Sequence, residues 1–583
     1  MKRCPQCHQI YADETLEFCR VDGMPLQVNS AFPTESSATL ILPAARTSEA
    51  LPTQLLQSEI AQAKETTSPI EAARSTQTRK LKAAGEIERH KRGIAVVLSV
   101  LILAAVSLSY WLFIHRSSFS LSNPTPIESI AVLPFENGSG DANLDYLSDG
   151  VSEGVIDRLS QLPQLKVIAR SSSFQYRGQN LNLKEIADAL GVQAIVTGRV
   201  VRRGDSYIIR VDVTDVRENK QLWGENFNRK VSDVQILQTD ISREIADNLR
   251  LHLSGTQSQQ LAGQGTVNPR AYELLLKGRF YYNQHGSREN IYKAVEYWEQ
   301  AVAVDPNYAL AYAELAGGYG SRGGRGLDRN QREIKREAAA RRALELDANL
   351  AEAHIALASI KLDRWEWQEA EREYRRAIEL NPNLPRAHNG YASYLSLMSR
   401  HDEAIAEVKH AGQVDPMGFP VSANAGLIFF RARRYDEAME SLKKLLELDQ
   451  ASPAAHKQLG DVYEVKGMYP EAIAEYQEAI RLRGGNSPNP EAHLGAIYVK
   501  TGERAKAEQI LQKLRMSGSD APQGDVPLLP AALGMRDEAF ALLEKAYAER
   551  APDLPHIAVE PYYDSLRSDP RFHGLLQRMG LTP

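Results

Sequence analysis

Asp347, Asn381, Asp415 and Asp449 stand 34 residues apart, each closing a stretch of helix-forming residues, and a proline follows Asn381 and Asp415 directly. No other feature restricts the chain as much. A unit of this length holds only two short helices and cannot bury its apolar side without a neighbour, so the units must stack. Alanines open the second helix of each unit in the same step, at Ala370, Ala404, Ala438 and Ala472. Where the two helices of a hairpin cross, only a small residue permits contact, and Tyr374, Leu442 and Tyr476 one turn later fill the remaining space. Ala316, Ala358, Ala392, Gly426, Gly460 and Gly495 are the matching small residues on the first helices. Proline fixes φ and stops the second helix.

From about Pro269 onward, over 269–550, these motifs resemble the tetratricopeptide family, with seven or eight units. The resemblance implies a right-handed superhelix whose concave face, lined by first helices, receives a peptide or another protein. Alignment with the family pattern makes Ile355, Ser359, Arg386, Asn389, Ser393, Leu427, Phe430, Lys457, Asp461 and Glu464 the groove-facing candidates. Asp305 to Asp347 is longer than one period, and GGYGSRGGRGLDRNQ reads as a loop inserted between the helices of the second unit. Gly318 to Gly323 matches G-x-G-x-x-G, but no strand precedes it, so a nucleotide site is not expected. The tail, 551–583, is expected to cap the stack.

Ahead of the repeats, 127–254 carries short apolar strands and amphipathic helices in the order βαβαβββα, the pattern of a small α/β domain. SIAVLPF (Ser129 to Phe135) is its first strand, and a hairpin turns at Arg203 to Ser206. With IADALGVQAIVTGRVV and QLWGENFNR, this stretch resembles the TolB amino-terminal-like domain found beside tetratricopeptide repeats in bacterial regulators, kinases and cyclases; the resemblance implies protein contacts and no catalytic residues. Asp141, Asp145, Asp149, Glu153 and Asp157 are expected to complement a helix dipole rather than to hold a metal.

Residues 93–114, GIAVVLSVLILAAVSLSYWLFI, carry no charge. As a helix they extend ~33 Å, enough for a hydrocarbon core of ~30 Å. One transmembrane helix is expected, with 1–92 cytoplasmic, because Arg79, Lys80, Lys82, Arg89, Lys91 and Arg92 flank it on one side and only Arg116 precedes Arg158 on the other. The expected location is a bacterial inner membrane, with the C-terminal part periplasmic or extracellular. Residues 28–92, rich in Ser, Thr, Ala, Gln and Pro, read as a disordered linker.

All three cysteines, Cys4, Cys7 and Cys19, lie in a segment too small to fold without a staple. A tetrahedral Zn²⁺ site in 1–27 answers that need, with Cys4, Cys7, Cys19 and Asp22 as ligands and His8 or water as competitors for the fourth place. The stretch resembles the short zinc ribbons of bacterial signalling proteins. Haem attachment at Cys4 to His8 conflicts with a cytoplasmic location, and thioredoxin-like chemistry lacks its βαβ context.

The fold class is therefore multidomain: a mainly α tetratricopeptide solenoid, a small α/β domain, one transmembrane helix and a short zinc ribbon. Lys and Arg number 69 against 74 Asp and Glu, and no basic recognition helix occurs, so no nucleic-acid partner is expected. Neither a P-loop nor a hydrolase, metalloprotease or kinase signature is present, so an enzyme is not expected. These features point to a membrane-anchored scaffold that binds peptide or protein partners. The alternative is a transmembrane regulator with a cytosolic ribbon and an external sensor.

Overall fold

The computed structural model describes residues 2–3, 10–11, 27–28 and 126–581, the last span apart from 180–181, 205, 231–233, 250, 252–254, 256, 258–265, 267, 285–286, 322, 486 and 517–523. Two compact units divide between Phe119 and Ser120. In the first, β1 (Lys2–Arg3), β2 (Ile10–Tyr11) and β3 (Gln27–Val28) form an antiparallel sheet in the order β2-β1-β3. The expected zinc ligands Cys4, Cys7, Cys19 and Asp22, with His8, lie outside the described residues, as do the linker beyond Val28 and the apolar segment 93–114. Among the described residues, no helix is long and apolar enough to cross a membrane.

The second unit opens with an α/β layer. β4 (Ser129–Val132) is buried throughout and pairs in parallel with β6 (Lys166–Val167) and β7 (Ala194–Arg203), as a strand covered on both faces should. β8 (Ser206–Asp215) and β9 (Lys220–Lys230) continue the sheet antiparallel, in the order β6-β4-β7-β8-β9. At the β7–β8 turn Arg203 pairs with Ser206, and Gly204 supplies the positive φ (60°) that a two-residue hairpin loop needs. The strand expected to run through Phe135 ends at Val132, since Pro134 has no N–H to donate, and β5 (Glu136–Asn137) resumes pairing with β7.

Helices Asp145–Leu159 and Val234–Asn248 pack together beside this sheet. The acids of the first helix do more than complement a dipole. Asp149 pairs with Arg177, Glu153 with Arg170 at 3.1 Å, and Asp157 with Arg279 of the first repeat at 2.6 Å. Their guanidinium partners come from distant segments, which helical spacing cannot show.

Seven helical hairpins follow among the described residues, from Pro269–Tyr282 with Arg288–Val304 to Pro488–Lys500 with Arg504–Met516, then a shortened pair, Leu528–Ala532 and Arg536–Ala548. The small-against-large reading holds. An added Cβ on Gly426 would lie 2.6 Å from Leu442, and one on Gly460 would lie 2.7 Å from the Tyr476 ring. The glycine-rich stretch is not all loop, because the helix Ala309–Gly320 continues through it. Gly318 allows that, sitting where a Cβ would strike Val295 and Trp298.

Between the helices of the third to sixth hairpins the chain turns through a left-handed residue at the same place in each period: Trp365 (φ 62°), Ser399 (60°), Arg433 (60°) and Gly467 (75°). A second periodic device ties the helices of a hairpin together. His354, His388 and His456 each place Nδ1 2.6 Å from a carboxylate 19 residues on, Glu373, Glu407 and Glu475.

The unit-ending turns have a further use. Asn383 Nδ2 lies within reach of the carbonyls of Ser160 (3.0 Å), Leu162 (3.2 Å) and Leu165 (2.9 Å), and Asn381 Nδ2 donates to Ser160 Oγ at 2.9 Å. One period later Ser172 Oγ donates to Asp415 Oδ1 at 2.6 Å, and the Ala169 amide donates to the Val414 carbonyl at 2.7 Å. The α/β layer is thus bolted to the edge of the stack where the second helices stop.

Candidate functional site

Consecutive first helices pack directly on one another from unit to unit, whereas consecutive second helices meet only marginally. That difference curves the stack and makes the first helices its inner face. The ten candidates fall into two environments on it.

One side of the inner face, on the first helices of the third to fifth hairpins, is open. Arg386 is exposed, and Ser359, Asn389 and Ser393 are half-buried. Asn424 Nδ2 donates to Asn389 Oδ1 at 2.9 Å, Ser393 Oγ lies 3.1 Å from Asn424 Oδ1, and Ser359 Oγ accepts from Arg336 at 2.6 Å. Ile355 is 8% exposed and belongs to the apolar core between units rather than to the surface.

The other half is occupied by the chain itself. Residues 524–581, part of which was expected to cap the stack, run back across it. Met579 accepts at its carbonyl from Trp367 Nε1 (2.8 Å), and the Tyr547 ring lies 5.6 Å from that of Trp365, both tryptophans at the turn of the third unit. The physical reason is apolar burial. Leu554, Ile557, Tyr563, Leu566, Phe572, Leu575 and Leu576 form one cluster with Trp365, Trp367 and Met398, more greasy surface than a stack end alone would cover. Phe430, 2% exposed, faces the Tyr562 ring at 6.1 Å. Leu427 lines a remaining cavity of about 240 Å³ between inner face and tail.

Lys457, Asp461 and Glu464 are consumed in a buried ionic network. Lys457 Nζ lies 2.9 Å from Asp461 and 2.8 Å from Asp525 of the tail. His493 Nδ1 lies 2.8 Å from Glu464, which also takes Lys500 at 2.8 Å, and Tyr476 donates to Asp461 at 2.8 Å. Burial works against every charge here, and the pairing decides the outcome. For Glu464, His493 and Lys500 outweigh burial and hold the carboxyl at about 2. In His493, Glu464 and Asp525 outweigh it and raise the ring to about 9. Asp525 is held well below the usual carboxylate range by Lys457 and His493 despite its burial, whereas burial pushes Asp461 up. Nearby His556 meets the opposite fate: burial, then Arg431, holds it at about 3.

Arg431, His493, Asp525, His556 and Glu560 were missed by periodicity. Their partners lie in other units or in the tail, and no fixed spacing relates them. The one sequence signal is a run of acids and aromatics, EPYYD (Glu560 to Asp564), next to no basic residue of its own before Arg567.

A family model described as tetratricopeptide repeat matches residues 424–487, across the fifth and sixth hairpins. The helical array is a tetratricopeptide-like solenoid. A curated relative, "Putative adenylate cyclase 3" of Rhizobium meliloti (strain 1021), is 34% identical over 188 residues, 32% of this chain and 32% of the relative, so the solenoid protein spans about a third of that relative's length. Solved structures similar to the solenoid include Pseudomonas aeruginosa pilF, 26% identical over 37% of this chain and 93% of that one, with a TM-score of 0.31. YrrB, described as a TPR protein with an unusual peptide-binding site, is 18% identical over 32% and 93%, with a TM-score of 0.25. The APC/C hetero-tetramer Cut9-Hcn1 is 17% identical over 60% and 63%, with a TM-score of 0.37.

Proposed function

We propose that the protein is a non-catalytic scaffold that receives a protein or peptide partner on the open half of the solenoid's inner face. The observation that carries this reading is the division of that face: one half is filled by residues 524–581, while Ser359, Arg386, Asn389, Ser393 and Asn424 remain at the surface of the other. An extended segment laid there would meet a row of amide, hydroxyl and guanidinium groups, donors and acceptors suited to peptide backbone. The apolar segment 93–114 would anchor the scaffold in a bacterial membrane with the solenoid outside the cytoplasm. Cys4, Cys7, Cys19 and Asp22 would bind Zn²⁺ on the other side, which metal analysis of wild-type and Cys19→Ser chains tests directly.

A photo-crosslinking amino acid placed in turn at Arg386, Asn424 and the exposed outer position Arg372 tests the main claim in the native cell. Discrete crosslinked products from Arg386 and Asn424 but not Arg372 are expected. Equal labelling at all three positions would discard the inner face as the receptor surface.

A further inference from the structure

A cavity of about 530 Å³ lies where the α/β layer meets the first three repeats. That size falls within the ~300–1,000 Å³ of small-molecule sites, which favour junctions between domains. Gly150 and Gly154 of the helix Asp145–Leu159, Gln238, Tyr272, Leu275 and Leu276 form its buried wall. Leu310, Leu350 and Leu380 face them from the second and third hairpins, and the exposed Asn349 and Glu379 stand at the mouth.

Most of the charged groups that line it are held by ion pairs or hydrogen bonds. Arg279 is held by Asp157 and by Glu314, each at 2.6 Å. Arg376 pairs with Glu379 at 3.2 Å and with Asn349 at 2.9 Å. Arg158 Nη1 donates to the Gly154 carbonyl and to Gln238, both at 3.1 Å. Asp347 accepts the Asn349 amide at 2.9 Å. Glu352, in the first turn of the helix Ala351–Asp363, has no side-chain partner among the described residues, and unlike Asp347 it accepts no amide from a following turn.

We propose that this cavity binds a small organic cation, a primary amine or guanidinium on an apolar body, with Glu352 as the counter-charge and the tyrosine and leucine wall receiving the body. Tyr272 and Tyr308 add aromatic faces that favour a cation. A half-buried carboxylate without a cation is unfavourable, and a ligand that supplies one lowers that penalty. Burial, then the charge of Asp157, pushes the Glu352 carboxyl up to about 7, so the empty site shares a proton that an incoming cation would expel. The inference is independent of the partner proposed for the inner face.

Isothermal titration of the full chain at pH 7 with agmatine, spermidine and phenethylamine, and with 2-phenylethanol as uncharged counterpart, tests it. At least one cation is expected to bind saturably and 2-phenylethanol not to. Binding should release protons, read as a heat that changes with the ionisation enthalpy of the buffer. Glu352→Gln and the cavity-filling Leu310→Trp should each weaken binding at least ~10-fold, a change of about 1.4 kcal/mol, while the exposed Glu447→Gln should not. Unfolding midpoints at or above wild type would show that Glu352→Gln is folded. No saturable binding of any of the three cations, or equal binding by Glu352→Gln, would leave the cavity a hydrated joint and overturn the proposal.

Discussion

Arg431 places Nε and Nη2 2.8 and 2.7 Å from a single oxygen of Glu560, a residue 129 positions later in the chain, and both side chains are at most 5% exposed. This pair pins the tail to the inner face of the fifth hairpin. Truncating one partner strands the other as a buried charge, so Arg431→Ala should destabilise by about 3–5 kcal/mol, and Arg431→Met with Glu560→Leu should recover much of that. Denaturant unfolding of the single and double variants checks it, and additive losses would sink the account.

Two histidines of the same region should shape the pH profile from opposite sides. His493 is raised from 6.5 to about 9, so its contribution is complete below pH 6.5 and disappears as the pH rises through 9. His556 is lowered to about 3, so its contribution is complete above pH 6.5 and disappears as the pH falls toward 3. In thermal melts from pH 5 to 10, His493→Gln is expected to flatten the alkaline limb alone. An alkaline limb as steep as in wild type would contradict the assignment.

The hairpin turns offer a test of local strain. Ser399 is exposed and holds a left-handed φ of 60°, where the unit after next uses Gly467. Relief of that strain outweighs the added freedom of the unfolded chain, so Ser399→Gly should stabilise by about 0.5–1 kcal/mol, and Gly467→Ala should destabilise by about 1 kcal/mol. Midpoints of unfolding that move the other way would reject the reading.

Asn383 is the bolt between the layers, and its loss leaves the Ser160 and Leu165 carbonyls without that donor, while Leu162 keeps the Leu165 amide, a penalty of about 1–3 kcal/mol. Asn383→Asp should be worse than Asn383→Ala, because a carboxylate repels those carbonyls. Hydrogen exchange should rise around Leu159 to Val167 in both variants while the hairpin 453–482 stays protected. Unchanged exchange there would show that the layer is held by other contacts.

Much of this architecture could be read before any coordinates. The spacing of Asp347, Asn381, Asp415 and Asp449 specified the hairpins, and the small residues Gly426 and Gly460 specified where helices cross, because both depend on neighbours within a single period. Gly204 marked a turn for the same reason: left-handed backbone is a property of one residue. What periodicity could not show is which surfaces the repeats leave free. Asn381 and Asp415 announced themselves as helix stops, yet only the folded chain shows them holding Ser160 and Ser172. Lys457 and Glu464 fitted the pattern of an open groove, but the tail and its Asp525 closed that half. Pairings such as these join residues far apart in the chain, well beyond a single period, and their strength comes from shared burial rather than from any local preference. The sequence by itself settled the repeat unit and its stacking, since each unit's helices and apolar side are encoded locally. The tertiary structure alone decided which part of the inner face stays open, because that depends on where a distant tail finds its apolar cover and its opposite charges.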